Sequence, residues 1–507
     1  MTDIIASDPI STYVRGRDFQ MLIGGEFVDA EGGARTVTMD PSTGAPLTEV
    51  PEATAGDVQR AIEAAQAAQP GWAAMTVEQR GACFARFGEL LVERLEELAM
   101  LDAIDSGNPV SAMRTDVRIS LGYVEGWPPM AKWLKGEVIP ASPGNLHYTS
   151  YMPYGVVGRI TAFNHPVMFA ATRPLPALIT GNSIVIKPAP QTSVSTLGLA
   201  ELFAEAFPPG VVNVVTGGAE PGDALVTHPA VKRIAFTGSV PTGLLIQRRA
   251  AESGHVKHLS LELGGKNAMV IFPDVDLDEA VEGAIYGMNF NVCQGQSCGS
   301  NSRVLVHRAI YDAFVAKAAE KLAAYRVGVA YDDATDMGPL VSREHFARVN
   351  ELLESGVDQG AKLVTGGDHP DGAPGDGYYM RPAVFADVQP QMRIATEEIF
   401  GPVMSILPFD DYEAMLAQAN AVDLGLTASV WTNDLDLALK TAERLDAGYV
   451  WVNDSTRHYM GTPFGGTKNS GTGREESHEE LVSYLEQKVT HVRLRDPRAA
   501  YQRLING

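Results

Sequence analysis

The run GVVGRITAFNHP (155–166) is followed by NSIVIKPAP (182–190), VVNVVTG (211–217) and KRIAFTG (232–238). Each is a short burst of β-branched and other apolar residues closed by glycine, proline or asparagine. Helical segments separate them, 194–206 being the clearest. Buried strands alternating with helices specify a parallel, doubly wound sheet, since parallel strands are joined through crossovers. Such sheets bind ligands at the carboxyl ends of their strands. The turns to watch are therefore 163–166, 187–192, 216–218 and 237–243. In the last, Gly238 and Gly243 flank a helix start whose free N–H groups can cradle a pyrophosphate.

The pattern extends both ways. A second α/β half begins near Glu262 with AMVIF (268–272), and VLVH (304–307), GYYMRPAVF (377–385), MSILPF (404–409), GLTASVW (425–431) and AGYVWVN (447–453) read as its further strands. Upstream, 20–40 reads as short strands joined by glycine turns. One helix starts near Asp57, and another opens on the capping box Thr76–Gln79 and runs to Gly107. A further helix carries Tyr123, Trp127 and Trp133 as core. GGDHPDGAPGDG (366–377) reads as a surface loop. The tail SYLEQKVTHVRLRD (483–496) alternates as a strand suited to pairing with another subunit.

The chain has 507 residues, enough for two to four domain-sized units. Its 40 basic and 62 acidic residues give a net charge of −22, which speaks against nucleic acid or an anionic membrane as partner. The N-terminus has early acids and no apolar stretch, so it reads as no secretory signal, and no apolar run reaches membrane-spanning length. Three cysteines make no disulfide framework and suit a reducing cytoplasm. Cys293 and Cys298 lack a nearby His or second Cys pair, so no metal is expected.

Both of these cysteines lie in FNVCQGQSCGSNSR (290–303). A cysteine in a glycine-rich bend before a strand can present its sulfur to a cleft, but a small buried hydrophobe is the alternative. The surrounding motifs decide. FNHP (163–166), IVIKPAP (184–190), FTGSVPTG (236–243), LELGGK (261–266), GQSC (295–298), EEIFGPV (397–403) and PFGGTKNSGTGRE (463–475) occur in one order along nearly the whole chain. Together they resemble the aldehyde dehydrogenase superfamily.

The resemblance implies an NAD(P)-dependent oxidation of an aldehyde to its acid through a thiohemiacetal and a thioester on Cys298. Asn164 and the Cys298 N–H would hold the oxyanion, and Glu262 would activate the hydrolytic water. Relatives that transfer the acyl group to coenzyme A commonly lack that glutamate, so its presence implies the hydrolytic type. Lys187, Gly238, Ser239, Glu398 and Phe400 match cofactor-binding positions. Cys293 matches no catalytic position and reads as structural. NAD or NADP is the implied cofactor, with NAD preferred.

Three positions depart from the commoner pattern. Pro190 stands where a glutamate often repels a 2′-phosphate, which leaves NADP open. His165 replaces a tunnel phenylalanine and, with Met168 and Phe169, makes that wall more polar. Arg173 replaces a lysine linked to proton relay, and because arginine stays protonated, a salt bridge to Glu475 is expected instead. The tunnel mouth is expected at Val292, Ser297, Arg457, His458 and Phe464. Arg457 and His458 there raise the alternative of a semialdehyde dehydrogenase that recognises a carboxylate. An inactive binding or structural relative is the other alternative.

The expected architecture is α/β: a Rossmann-like cofactor domain (1–133 and 153–260), an α/β catalytic domain (261–450) and a small β oligomerisation element (134–152 and 477–507). A homodimer or homotetramer acting on a small-molecule aldehyde follows.

Overall fold

The computed structural model describes residues 8–506. Residues 1–7, which belong to the stretch read as no secretory signal and to the expected cofactor domain, lie outside it, as does Gly507 of the tail.

Two sheets dominate. The first places five parallel strands in the spatial order Val212–Val214, Ser183–Lys187, Val156–Ile160, Val231–Thr237, His258–Glu262. The antiparallel strand Met21–Ile23 flanks one edge, and Gly471–Thr472 pairs with His258–Glu262 at the other. Chain order reverses between Val156–Ile160 and Val231–Thr237, which makes that gap the topological switch point. The second sheet runs Lys362–Thr365, Ala383–Ala386, Val403–Phe409, Arg303–His307, Ala268–Ile271, Thr427–Trp431, Tyr449–Val452, and only its first strand is antiparallel.

Both sheets are buried on both faces, as parallel sheets require. Val157, Ile184, Ile186 and Val214 pack with Phe84, Phe87 and Phe203, while Val156, Val185, Ile234 and Phe236 face Ile62, Leu225 and Ile246. In the second sheet Val270, Leu305 and Leu407 alternate with Met269, Ile271, Val304 and Ile406 in the same manner. Burying each such side chain contributes roughly 1.5–3 kcal/mol, so the strand runs that look uniformly apolar in sequence are the stable frame of the site.

Several local expectations change. The helix expected from the Thr76 capping box to Gly107 is two helices, Val77–Glu93 and Leu95–Ser106, interrupted at Arg94 (φ −106°, ψ 14°); the capping box and the left-handed Gly107 stop are present. Trp133 is not core. The helix Val110–Ala131 contains Pro128 and Pro129, which cannot donate to its ladder, and the chain leaves it with Trp133 68% exposed. GYYMRPAVF contributes a strand only over Ala383–Ala386, although Tyr379 is buried and donates to the Ser42 carbonyl at 2.7 Å. A helix, Pro497–Ile505, follows the tail strand.

The tail strand Leu485–Arg493 pairs antiparallel with Asn145–Pro153 over nine residues, forming a separate two-stranded ribbon. Among the described residues no helix is long and apolar enough to cross a membrane.

Candidate active site

The carboxyl ends of the first sheet face the amino ends of the second. Asn164 follows Val156–Ile160, Lys187 ends Ser183–Lys187, Gly238 follows Val231–Thr237, and Glu262 ends its strand. From the other side, Cys298 precedes Arg303–His307, and Glu398 with Phe400 precedes Val403–Phe409. One turn ties two of these segments together. The Asn108 amide donates to the Asn164 carbonyl at 2.9 Å, and the neighbouring Gly107 carbonyl accepts from Gln294 Nε2 at 3.1 Å.

The Cys298 bend is built tightly. Gln294 (φ 55°) and Gly295 (φ 72°) both adopt left-handed backbone, and a Cβ at 295 would collide with the Gly401 carbonyl. That approach requires glycine. Asn267 Nδ2 holds the Cys298 carbonyl at 2.7 Å. The half-buried Cys298 thiol is pushed up to about 12, first by burial and then by the charges of Glu398 and Glu262. It rests protonated and needs a base at the moment of attack.

Among the described residues, neither the Cys298 backbone N–H nor the Asn164 side-chain amide has a hydrogen-bond acceptor, although Asn164 is buried. Unspent N–H donors of this kind can hold an oxyanion where they converge on a reacting carbon.

Glu262 is buried, and both of its carboxylate oxygens lack a partner among the described residues. Burial raises its pKa well above the usual glutamate value, and the Glu475 charge adds to this; Arg173 and Arg159 oppose it.

Beneath it lies a buried ionic network. Arg159 binds Glu475 at 3.0 Å, and Arg173 reaches Glu475 at 3.3 Å and Glu476 at 3.1 Å, so the expected Arg173–Glu475 bridge is present. His458 Nδ1 meets Glu476 at 3.0 Å. Burial would raise Glu476, but the His458 ring and Arg173 outweigh it and draw the carboxyl down to about 2. Replacing Arg173 by methionine leaves Glu475 with Arg159 alone and Glu476 with His458 alone. A loss of roughly 3–5 kcal/mol is expected, read as a lowered thermal midpoint; an unchanged midpoint would show the bridges contribute nothing.

At the switch-point crevice, Lys187 is buried and its Nζ donates only to the Pro188 carbonyl, at 3.2 Å. Burial lowers its pKa to about 8, and Glu52 opposes the shift. The Gly238 N–H donates to the Glu262 carbonyl at 3.0 Å. The turn keeps the N–H groups of Ser239 and Val240 unspent among the described residues, with Ser239 Oγ capping helix Val240–Glu252. A Cβ at 238 would strike the Phe236 ring, which explains the glycine there. Glu398 accepts from the Gly265 N–H at 2.8 Å, and burial pushes it up to about 7. Phe400 (φ 57°) sets its ring edge-on to Phe163, 5.6 Å away. A buried lysine with donors to spare, open helix-start N–H groups and a half-buried carboxylate across one crevice fit a dinucleotide.

The family model "Aldehyde dehydrogenase family" matches residues 27–490. The chain belongs to the aldehyde dehydrogenase family. It is 42% identical over 469 residues to aldehyde dehydrogenase tropH of Talaromyces stipitatus, covering 91% of this chain and 90% of that protein. It is 40% identical to betaine aldehyde dehydrogenase 1 of Rhizobium meliloti, over 95% of this chain and 98% of that one. The NAD+ complex of aldehyde dehydrogenase from Bacillus cereus superposes with a TM-score of 0.92 at 39% identity, over 97% of this chain and all of that one (100%). An E. coli NADP-dependent enzyme superposes at 0.90 with 33% identity, over 94% and 98%. This aldehyde dehydrogenase uses NAD or NADP to oxidise an aldehyde to its carboxylic acid, on an α/β fold with Rossmann-like and catalytic parts.

In this aldehyde dehydrogenase the expected tunnel residues divide. His165 Nδ1 lies 2.7 Å from Asp116, with the Phe169 ring 5.5 Å away. Burial would lower the His165 pKa, but the Asp116 carboxylate outweighs it and raises it well above the ordinary value. The Arg173 guanidinium lies over the Phe169 ring, 5.5 Å from its centroid, and pairs with Glu476 at 3.1 Å. Phe464 is buried against the His458 ring at 4.4 Å. Met168 and Val292 are half-buried, and Ser297 Oγ accepts from the Gly299 N–H at 3.3 Å. Arg457 stands apart, its side chain 63% exposed and 3.6 Å from Asp454. Asp116, Arg159, Glu476 and Asn267 were not singled out in the sequence. Asp116 lies in a segment without a motif, whereas Arg159, Asn267 and Glu476 lie inside or next to quoted stretches, where nothing local marks them as partners. Cys293 is fully buried.

Proposed function

We propose that Cys298 is the nucleophile, that the Asn164 amide and the Cys298 N–H stabilise the oxyanion, and that Glu262 is the base. The observation that carries this is Glu262: a buried carboxylate with both oxygens unpartnered, whose charge acts on the Cys298 thiol. Leaving such a group buried without a use would cost free energy for nothing. The thiol gives up its proton to Glu262 as its sulfur adds to the aldehyde carbon, and the two unspent N–H donors take the developing alkoxide. The dinucleotide, when bound, supplies the hydride-accepting chemistry that carries the adduct to a thioester. Glu262 passes that proton to solvent and then takes one from water; attack of the water releases the acid, and the departing Cys298 sulfur takes the proton back from Glu262. Lys187 and Glu398 would hold the two riboses, and Ser239 the pyrophosphate, with Gly238 giving room and Phe400 packing beside the ring.

The substrate's far end meets imidazoles anchored on carboxylates, His165 on Asp116 and His458 on Glu476. These favour an aldehyde bearing hydrogen-bonding oxygens. Arg457 faces solvent, so we place selection on the two histidines rather than on a carboxylate anchor. The test is absorbance of reduced nicotinamide with both cofactors and an aldehyde panel, without coenzyme A. Silence with every aldehyde would sink the assignment.

We further propose a cofactor unit, a catalytic unit and the ribbon as an oligomerisation element in a cytoplasmic homodimer or homotetramer. The three free thiols suit that compartment. The ribbon exposes Leu146, Tyr148, Met152, Val489 and Val492 on an open strand edge, a combination that isolated chains avoid. Val489→Asp is expected to lower the mass measured by light scattering; an unaltered mass would remove the ribbon from the interface.

A further inference from the structure

The turn after Lys187 carries Pro190 and offers no carboxylate, yet two arrive from elsewhere in the chain. Glu52 is fixed on both oxygens: Oε1 accepts from the Gly218 N–H at 2.8 Å and Oε2 from Thr36 Oγ1 at 2.7 Å. Its segment is stitched to the same turn, with Thr216 Oγ1 donating to the Pro51 carbonyl at 2.5 Å and the Ala53 N–H to the Thr216 carbonyl at 3.3 Å. Gly217 (φ 117°) has no Cβ, and one would lie 3.0 Å from Glu52 Oε1, so the turn closes on the carboxylate. Glu220 stands in the first turn of helix Ala219–Thr227 and accepts from the Ala55 N–H at 3.3 Å. That helix packs on the lysine stem, since a Cβ at Gly222 would sit 3.6 Å from Lys187 Cε.

Lys187 alone, a buried ammonium with unused donors, would attract a phosphate as readily as a ribose diol. We propose that Glu52, aided by Glu220, selects NAD over NADP by presenting fixed negative charge at the ribose end of the crevice beside Lys187. A carboxylate pinned through both oxygens cannot swing aside for a second anion, whereas it can accept from a hydroxyl. The charge of Glu52 already acts on Lys187 across this space. The inference rests on this crevice being the dinucleotide site.

The test is calorimetric titration of the full chain with NAD, NADP and the nicotinamide-free pair 5′-AMP and adenosine 2′,5′-bisphosphate. The unaltered protein is expected to prefer the member without the 2′-phosphate in each pair. Glu52→Gln keeps an acceptor for the Gly218 N–H and can donate its amide to Thr36 Oγ1, so the turn is retained, and the preference is expected to shrink by about tenfold, chiefly through tighter binding of the phosphorylated member. Glu220→Gln, at an exposed position, is expected to shrink it further. Equal affinity in the unaltered protein, or an unchanged ratio in a folded Glu52→Gln variant, would overturn the proposal. These readings need no aldehyde: turnover failing while they hold counts against the catalytic assignment alone.

Discussion

Replacing Cys298 by alanine is expected to abolish aldehyde oxidation, by at least about 10³-fold in kcat, because no covalent adduct can form. Cofactor affinity by direct titration is expected to stay unchanged, since the bend is held by Asn267 and by the Gly295 approach to Gly401, not by the sulfur. Cys293→Ala is the companion. That thiol is buried among core residues, so its loss is expected to cost some stability and leave turnover intact. Turnover of Cys298→Ala within tenfold of the parent would move the nucleophile elsewhere.

Glu262→Gln is expected to slow both halves of the reaction, because glutamine takes a proton from neither the thiol nor the water. The burst of reduced nicotinamide slows, and steady-state turnover falls by roughly 10²–10⁴-fold, the usual worth of a general base. The pH profile carries a sign. Glu262 works as the carboxylate, and burial lifts its pKa well above the ordinary value. Turnover of the parent is therefore lost on the acid side at a pH above that of a solvated glutamate, and the glutamine variant loses this limb. Stopped-flow traces across pH read both. Unchanged turnover with the acid limb retained would assign the base to another group.

Much of the fold was legible because parallel sheets demand it. The strands after Gly155, Asn182 and Lys232 are apolar on both faces and closed by turn residues, which periodicity detects directly. Trp133 was misplaced because helix exit depends on where Pro128 and Pro129 fall relative to packing, which aromatic spacing does not report. The bond from the Gly238 N–H to the Glu262 carbonyl is not visible in the turn's sequence, because the accepting strand is its neighbour only in space.

The order of motifs, and with it the places of Glu262 and Cys298 at the ends of their segments, is read from the sequence by itself, since each motif is a local residue choice. The partners of the charges belong to the tertiary structure. Arg173 could be expected to meet Glu475, but Arg159, Glu476 and His458 join it from segments far apart in the chain that only the fold brings together. Asp116 beneath His165 and Glu52 beside Lys187 are likewise ordinary acids in the sequence. Electrostatic coupling depends on distance and burial in space, and neither is written in the spacing of residues along the chain.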